Sequence, residues 1–307
     1  MQPGFDAHER VEFFADEDAG VMGVIAIHST ALGPAMGGCR AATYTTEAAA
    51  VTDALRLSQG MSYKNAMADL PAGGGKAVLY RLPQGAAARA RAFEAFGAAV
   101  ERLGGAYVTA EDVGTSVTDM QAIARRTRYV AGLPNAAGRA GGDPSPWTAL
   151  GIFEAMKVAA GRPLEGARVA VQGLGSVGFR LCERLHAAGA RLIVADVARD
   201  RALKAHAVFG AELASVDQIH RAAADVFSPN ALGAVLNAQS IGELQAPVVC
   251  GGANNQLATP ADGARLAALG VVYAPDYVVN AGGIINVVAE YLGEPADQVE
   301  GRVRAIG

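Results

Sequence analysis

Short apolar runs alternate with longer stretches of helical spacing along this 307-residue chain. In the first half Val21–His28 (VMGVIAIH), Lys76–Tyr80 and Tyr107–Ala110 are short and apolar and read as strands. Thr46–Gln59 (TEAAAVTDALRLSQ) and Ala86–Leu103 carry helix formers with apolar residues three and four apart, and read as helices. The pattern breaks at Pro134–Pro146 (PNAAGRAGGDPSP), where glycine and proline crowd together, which marks an interdomain connection. A helix resumes over Thr148–Ala160. The rhythm then becomes regular: strand Arg168–Gln172, helix Val177–Ala188, strand Leu192–Ala195, helix Arg201–Phe209. Short strands follow at Val226–Phe227, Val248–Cys250 and Val271–Tyr273. Strands and helices alternating at this spacing predict a parallel sheet covered on both faces. The fold class is α/β with two domains, divided as residues 1–140 and 141–307.

Composition narrows the function classes. Half the residues are apolar (51%), the net charge is −4, and no run of lysine or arginine forms a basic stripe. Neither a nucleic acid nor a membrane surface is therefore expected as a partner. Cys39, Cys182 and Cys250 are odd in number and far apart, which suits neither a disulfide framework nor a clustered metal site. The opening MQPGFDAHERVEFFADEDAG is polar and acidic, unlike a signal peptide, and no apolar run reaches membrane-spanning length. A reduced, cytoplasmic protein is the expectation.

Two clusters carry candidate chemistry. Gly173, Gly175 and Gly178, with Ser176 and Val177, spell G-L-G-S-V-G between a strand and a helix. The first glycine permits the tight turn, the second admits a pyrophosphate to the backbone, and the third lets helix and strand pack closely. Phosphates would face the amides and positive dipole end of that helix. Thirty-eight glycines generate such strings by chance, but here Asp196 also ends the next strand at the expected offset. An acid there accepts hydrogen bonds from a ribose and repels a 2′-phosphate, which favours NAD over NADP; Arg199 and Arg201 just beyond soften that preference.

The second cluster is Gly60–Leu79 (GMSYKNAMADLPAGGGKAVL), where Lys64 and Lys76 stand in surroundings almost free of other charge. Burying a lysine without a partner is costly, and an apolar setting with a second cation nearby turns it into a general base near neutral pH. The bland alternatives are a helix-surface residue for Lys64 and a mobile turn with a solvated lysine for Lys76. Gly73–Gly75 allow a very close approach to Lys76, without the spacing of a phosphate-binding P-loop. Asp112 in TAEDVGT follows a strand end, where open α/β sheets bind ligands; its bland role is helix capping, for which Thr115 and Ser116 serve equally well. The five histidines are scattered and receive no role.

Several ordered motifs together support a family. Ile25–Arg40 (IAIHSTALGPAMGGCR), Asp53–Ala66, Gly73–Val78 (GGGKAV), Tyr107–Thr115, Val171–Gly178 (VQGLGSVG), Ala253–Leu257 (ANNQL) and Ala274–Asn286 (APDYVVNAGGIIN) resemble the Glu/Leu/Phe/Val dehydrogenase superfamily. Within it the chain looks most like leucine dehydrogenase. The resemblance implies an N-terminal α/β substrate and catalytic domain and a C-terminal Rossmann domain binding NAD. It implies oxidative deamination of an L-amino acid to a 2-oxo acid and ammonia. Lys64 matches the lysine that pairs with the substrate carboxylate, assisted by amides near Gly37 and Gly38. Lys76 matches the lysine of depressed pKa that activates water, and Asp112 the carboxylate that exchanges protons with the amino nitrogen. Asn280 matches a position near substrate and cofactor, and Asn254 and Thr148 match positions lining the nicotinamide site. Met36 and Ala110 match the side-chain pocket, and an apolar pair there suits a branched-chain aliphatic substrate; phenylalanine is the rival. Glutamate is disfavoured because no extra cation is evident. A catalytically idle NAD-binding protein is the alternative from another class, but it would not keep both lysines and Asp112. A homo-oligomer is implied. Two departures stand out: the sequence stops at Gly307 in what reads as the start of a helix, where relatives continue, so a truncated tail is expected; and Asn230 replaces the usual cysteine.

Overall fold

The computed structural model describes residues 4–134, 138–231 and 233–307. Part of the expected connection, residues 135–137, lies outside the described residues. The chain forms two compact units, Met1–Pro144 with Ile284–Val299, and Ser145–Gly283 with Glu300–Gly307.

The first unit contains β1 (Arg10–Asp16), β2 (Val21–Ser29), β3 (Ala35–Met36), β4 (Cys39–Ala41), α1 (Glu47–Met67), β5 (Gly73–Arg81), α2 (Ala86–Arg102), β6 (Tyr107–Val108) and α3 (Val117–Ala124). Its described strands form a mixed sheet of order β1-β2-β5-β3-β6, with β4 also paired to β5. β2 runs antiparallel to β1 and β5, whereas β3 and β4 run parallel to β5. Successive strand side chains point to opposite faces, and the two faces bury different cores. Ile25, Ile27, Ala77 and Leu79 pack with Phe93, Phe96, Met120 and Ile123 of α2 and α3. Val24, Ala26 and Val78 pack with Ala50, Val51, Ala54 and Leu55 of α1. Lys76 shares the parity of Val78, so it stands on the α1 face.

Helix α1 begins where Thr46 accepts the Ala49 amide as a side-chain cap, and it runs through Lys64 to Met67. Gly60 inside it costs about 1 kcal/mol relative to alanine, which burial of Leu57 and Met61 on either side offsets. The edge strand β1 buries only Phe14 fully, so it lacks the apolar run by which the sequence shows its other strands.

The second unit contains α4 (Ser145–Ala159), β7 (Arg168–Gln172), α5 (Ser176–Ala187), β8 (Arg191–Ala195), α6 (Arg199–Phe209), β9 (Glu212–Leu213), β10 (Val226–Pro229), α7 (Ala238–Glu243), β11 (Val248–Val249), α8 (Pro260–Ala268), β12 (Val272–Tyr273) and α9 (Asp276–Val279), with a 3₁₀ turn at Ile219–Arg221. All described strand pairs are parallel, in the order β12-β11-β10-β7-β8-β9. Counted from β7, that is 6-5-4-1-2-3, the doubly wound dinucleotide-binding order. Alternation again splits the core, Val169, Val171, Leu192 and Val194 facing one helical layer and Ala170, Ile193 and Ala195 the other.

Helices α10 (Gly282–Tyr291) and α11 (Ala296–Arg304) close the chain, and the stretch Ile284–Val299 within them belongs to the first unit. The Glu290 carboxylate accepts the amides of Gly132 (2.8 Å) and Leu133 (2.9 Å). Asn286 Oδ1 accepts the Gly141 amide at 3.1 Å. A division at 140/141 does not contain this return, because bonds spanning about 150 residues have no local signature. Helix α11 runs over Ala296–Arg304, and Ala305 and Ile306 form a turn before Gly307.

Candidate active site

The glycines before Lys76 serve packing. A methyl group on Gly73 would run into the Ser29 carbonyl of β2, on Gly74 into Ser62 of α1, and on Gly75 into the Tyr107 ring. The bare Gly74 lets α1 lie directly on β5, and Asn65 Nδ2 fastens the two by donating to the Gly73 carbonyl at 2.5 Å. Lys64, the residue before Asn65, is 8% exposed and Lys76 4%. Neither is a solvated surface lysine.

Gly37 and Gly38 follow the same logic. A methyl on Gly37 would strike the Gly75 carbonyl, and one on Gly38 would meet the Glu111 carbonyl and Asp112 Cβ. The Gly37 amide donates to the Val108 carbonyl at 3.3 Å, so it serves the sheet. Met36 is paired with Gly74 and Val108, and the Ala110 carbonyl accepts the Cys39 amide at 2.8 Å. Met36, Gly37, Gly38, Ala110 and Asp112 therefore gather where β3 and β6 end, beside Lys76 in the interior of β5.

The expectation of a charge-poor setting is corrected at Lys76, whose Nζ lies 2.6 Å from Asp112 Oδ2. The same oxygen accepts Arg40 Nε at 3.1 Å. Arg40 Nη1 reaches Asp53 Oδ2 at 3.0 Å, and the Tyr44 hydroxyl donates to that oxygen at 2.6 Å. Burial alone would push the Asp112 carboxyl up, but the Lys76 ammonium and the Arg40 guanidinium hold it well below the usual carboxylate range. Asp112 is not a helix cap, since Ser116 caps α3 in a reciprocal box with Asp119. Arg40, Asp53 and Tyr44 escaped the sequence reading because they meet only through the pairing of β4 with β5 and the packing of α1. An arginine closing G-G-C-R beside two glycines was the one local sign.

In the second unit, Gly173 takes φ +92°, a left-handed conformation that suits glycine. A methyl on Gly178 would collide with the Gly173 carbonyl, whereas one on Gly175 would meet nothing within 4 Å. Gly175 starts α5 without a side-chain cap, leaving the helix entrance, with Ser176 and Val177, as a cradle for an anion. Asp196 accepts the Leu174 amide at 2.6 Å and the Ala198 amide at 2.7 Å, with Arg201 Nη1 4.0 Å away. An ionised carboxylate has further acceptor sites, so Asp196 braces the turn and retains capacity for a ribose hydroxyl. Asn280 Nδ2 donates to Asn254 Oδ1 at 2.8 Å and to the Gly252 carbonyl at 3.1 Å. Its Oδ1 is buried with no partner among the described residues, an acceptor suited to a cofactor amide. Asn230 Oδ1 accepts the Gly252 amide at 2.9 Å, so the unusual asparagine ties that loop to the glycine turn. Thr148 lies at the crowded contact of Trp147 with Gly282.

The glycine turn after the first strand of this sheet and the acid at the end of the second have the arrangement of a dinucleotide-binding unit. Two family models match: the Glu/Leu/Phe/Val dehydrogenase dimerisation domain over residues 8–129, and glutamate/leucine/phenylalanine/valine dehydrogenase over 194–299. Leucine dehydrogenase of Thermoactinomyces intermedius is 46% identical, over 97% of this chain and 82% of its own. Valine dehydrogenase of Streptomyces albus is 45% identical, over 97% and 84%. The crystal structure of L-tryptophan dehydrogenase from Nostoc punctiforme superposes with a TM-score of 0.78 at 40% identity, covering 98% of this chain and 87% of that one. The chain belongs to the Glu/Leu/Phe/Val dehydrogenase family and is an amino-acid dehydrogenase.

Proposed function

We propose that the protein catalyses the reversible, NAD-dependent oxidative deamination of a branched-chain aliphatic L-amino acid to its 2-oxo acid and ammonia. The observation that carries this reading is the buried Lys76–Asp112 pair at 2.6 Å, an acid–base couple formed by a residue of β5 and the loop after β6. Bound NAD would supply the hydride acceptor. Lys64 pairs with the substrate α-carboxylate, beside Gly37 and Gly38. After hydride loss the substrate is an iminium ion; Lys76 takes a proton from the water that attacks it, and Asp112 exchanges protons with the nitrogen as ammonia leaves. Gly173, Gly175, Ser176, Val177 and Gly178 hold the pyrophosphate, Asp196 the ribose, and Asn280, Asn254 and Thr148 the nicotinamide end. Met36 and Ala110 line the side-chain pocket, and neither brings a charge to it. The family model over residues 8–129 is described as a dimerisation domain, which supports a homo-oligomer.

An aromatic substrate is the second reading, favoured by the 42% identity to L-tryptophan dehydrogenase of Nostoc punctiforme. Initial rates of NAD reduction with L-leucine, L-valine, L-isoleucine, L-phenylalanine, L-tryptophan and L-glutamate separate the two. The aliphatic three are expected to lead, and a lead by phenylalanine or tryptophan would overturn the substrate class. Among the aliphatic three the ratios should be modest, because one methylene is worth about 1–3 kcal/mol in an apolar pocket.

A further inference from the structure

Behind the Lys76–Asp112 pair lies a row of groups with no role so far: Arg40 on β4, Asp53 on α1, and Tyr44 between them in sequence. Arg40 is in register with Val78, so it stands on the same α1-covered face as Lys76. Its Nε donates to Asp112 Oδ2 at 3.1 Å and its Nη1 to Asp53 Oδ2 at 3.0 Å. The Tyr44 hydroxyl holds that Asp53 oxygen at 2.6 Å. The side chains of Arg40, Asp112 and Asp53 are 17%, 15% and 26% exposed, enough burial for geometry to matter.

A guanidinium is flat, carries its donors in a fixed fork and does not lose its charge in proteins. Bound to Asp53 by one nitrogen and to Asp112 by another, it fixes the plane in which the Asp112 oxygen lies. We propose that Arg40 is a positioning residue of the dehydrogenase reaction: anchored by Asp53 and Tyr44, it holds the Asp112 carboxylate in place beside Lys76. The inference rests on the function proposed above. The need is chemical. When Lys76 has given up its proton, Asp112 loses its nearer cation, and Arg40 is the permanent charge that remains on the same oxygen. Lys76 from β5 and Arg40 from β4 are the cations on Asp112, and the Val113 amide of its own loop also points to it. Asp53 and Tyr44 face Arg40 from the other side. Of the nearby charges, Arg89 and Asp119 are satisfied by each other at 2.8 Å.

The test is steady-state kinetics of the full-length variants with L-leucine and NAD across pH, with thermal melts alongside. Arg40→Gln withdraws a positive charge from the Lys76–Asp112 pair, so the pair holds its proton more firmly. The acid limb of kcat/KM should then move to higher pH by about one unit, and kcat should fall roughly 100-fold, the scale of a misplaced catalytic group. KM for NAD should change by less than about twofold, since Arg40 lies outside the nucleotide turn. Arg40→Lys should return the acid limb toward the wild-type position while kcat stays about tenfold low, because charge is restored without the fork. Asp53→Asn keeps the charge and loosens its anchor. It should cost about tenfold in kcat, with the acid limb at or below its wild-type pH, and it carries the test if Arg40→Gln fails to fold. Wild-type kcat and acid limb in Arg40→Gln, or equal losses in all three variants without movement of the limb, would overturn the proposal. Lys76→Ala separates this failure from a wider one. Turnover surviving in Lys76→Ala would remove the site assignment itself, whereas turnover lost there but intact in Arg40→Gln would remove only the role of Arg40.

Discussion

Asp112 meets two cations through one oxygen, and its stability and its chemistry follow from that contact. The sequence shows Lys76 and Asp112 as separate candidates, each at the edge of a strand, because apolar runs and glycines are local. Their pairing is not local: it arises when β5 and the loop after β6 arrive side by side, so Lys76 reads as charge-isolated until the sheet is assembled. Removing the anion should be expensive. Asp112→Asn takes the carboxylate from the buried Lys76 and leaves Arg40 with Asp53 alone, and is expected to cost about 3–5 kcal/mol, measurable by urea unfolding at neutral pH. The wild-type carboxyl is held below its unfolded value, so its contribution is complete above about pH 4 and fades as pH falls toward the folded value. Comparing melts of the wild type and Asp112→Asn as pH is lowered should show the gap closing below about pH 4. A gap constant with pH would contradict the ionised state of Asp112.

Elements follow their local rules, with departures where distant segments intervene. Strand β7 appears over the residues its apolar run marks, and α5 begins one residue before expectation, at Ser176. Helix α1 extends past Gln59 because tertiary burial of Met61, Lys64 and Asn65 outweighs the glycine at 60. The return of Ile284–Val299 was illegible, since Glu290 finds Gly132 and Leu133 only in the folded chain. Glu290→Ala strands those two amides and is expected to lower stability by about 1–3 kcal/mol. A melting temperature equal to the wild type's would show that Glu290 does not anchor that segment. Asp196 braces the Leu174 amide at the end of β8, and in the proposed function it also repels a 2′-phosphate. Asp196→Ala should therefore raise the NADP-to-NAD ratio of kcat/KM by about tenfold or more while weakening NAD binding. An unchanged ratio would place cofactor choice elsewhere.

At the scale of the whole molecule, period-two strands and amphipathic helices specify two α/β units, and the strand order 6-5-4-1-2-3 gives the second the topology of dinucleotide-binding domains. The ordered motifs carried the resemblance to the family, and the apolar residues Met36 and Ala110 support no more than the proposed substrate class, because pocket shape depends on packing that no local pattern encodes. Light scattering should give a mass of at least twice the 31.3 kDa chain; a monomer would contradict the homo-oligomer. Lys76 as the general base is tested most directly by kcat of Lys76→Ala with L-leucine and NAD, measured beside NAD affinity by calorimetry. General-base loss predicts a fall of about 1,000-fold in kcat with NAD affinity unchanged. Turnover at a rate comparable to the wild type's would contradict it.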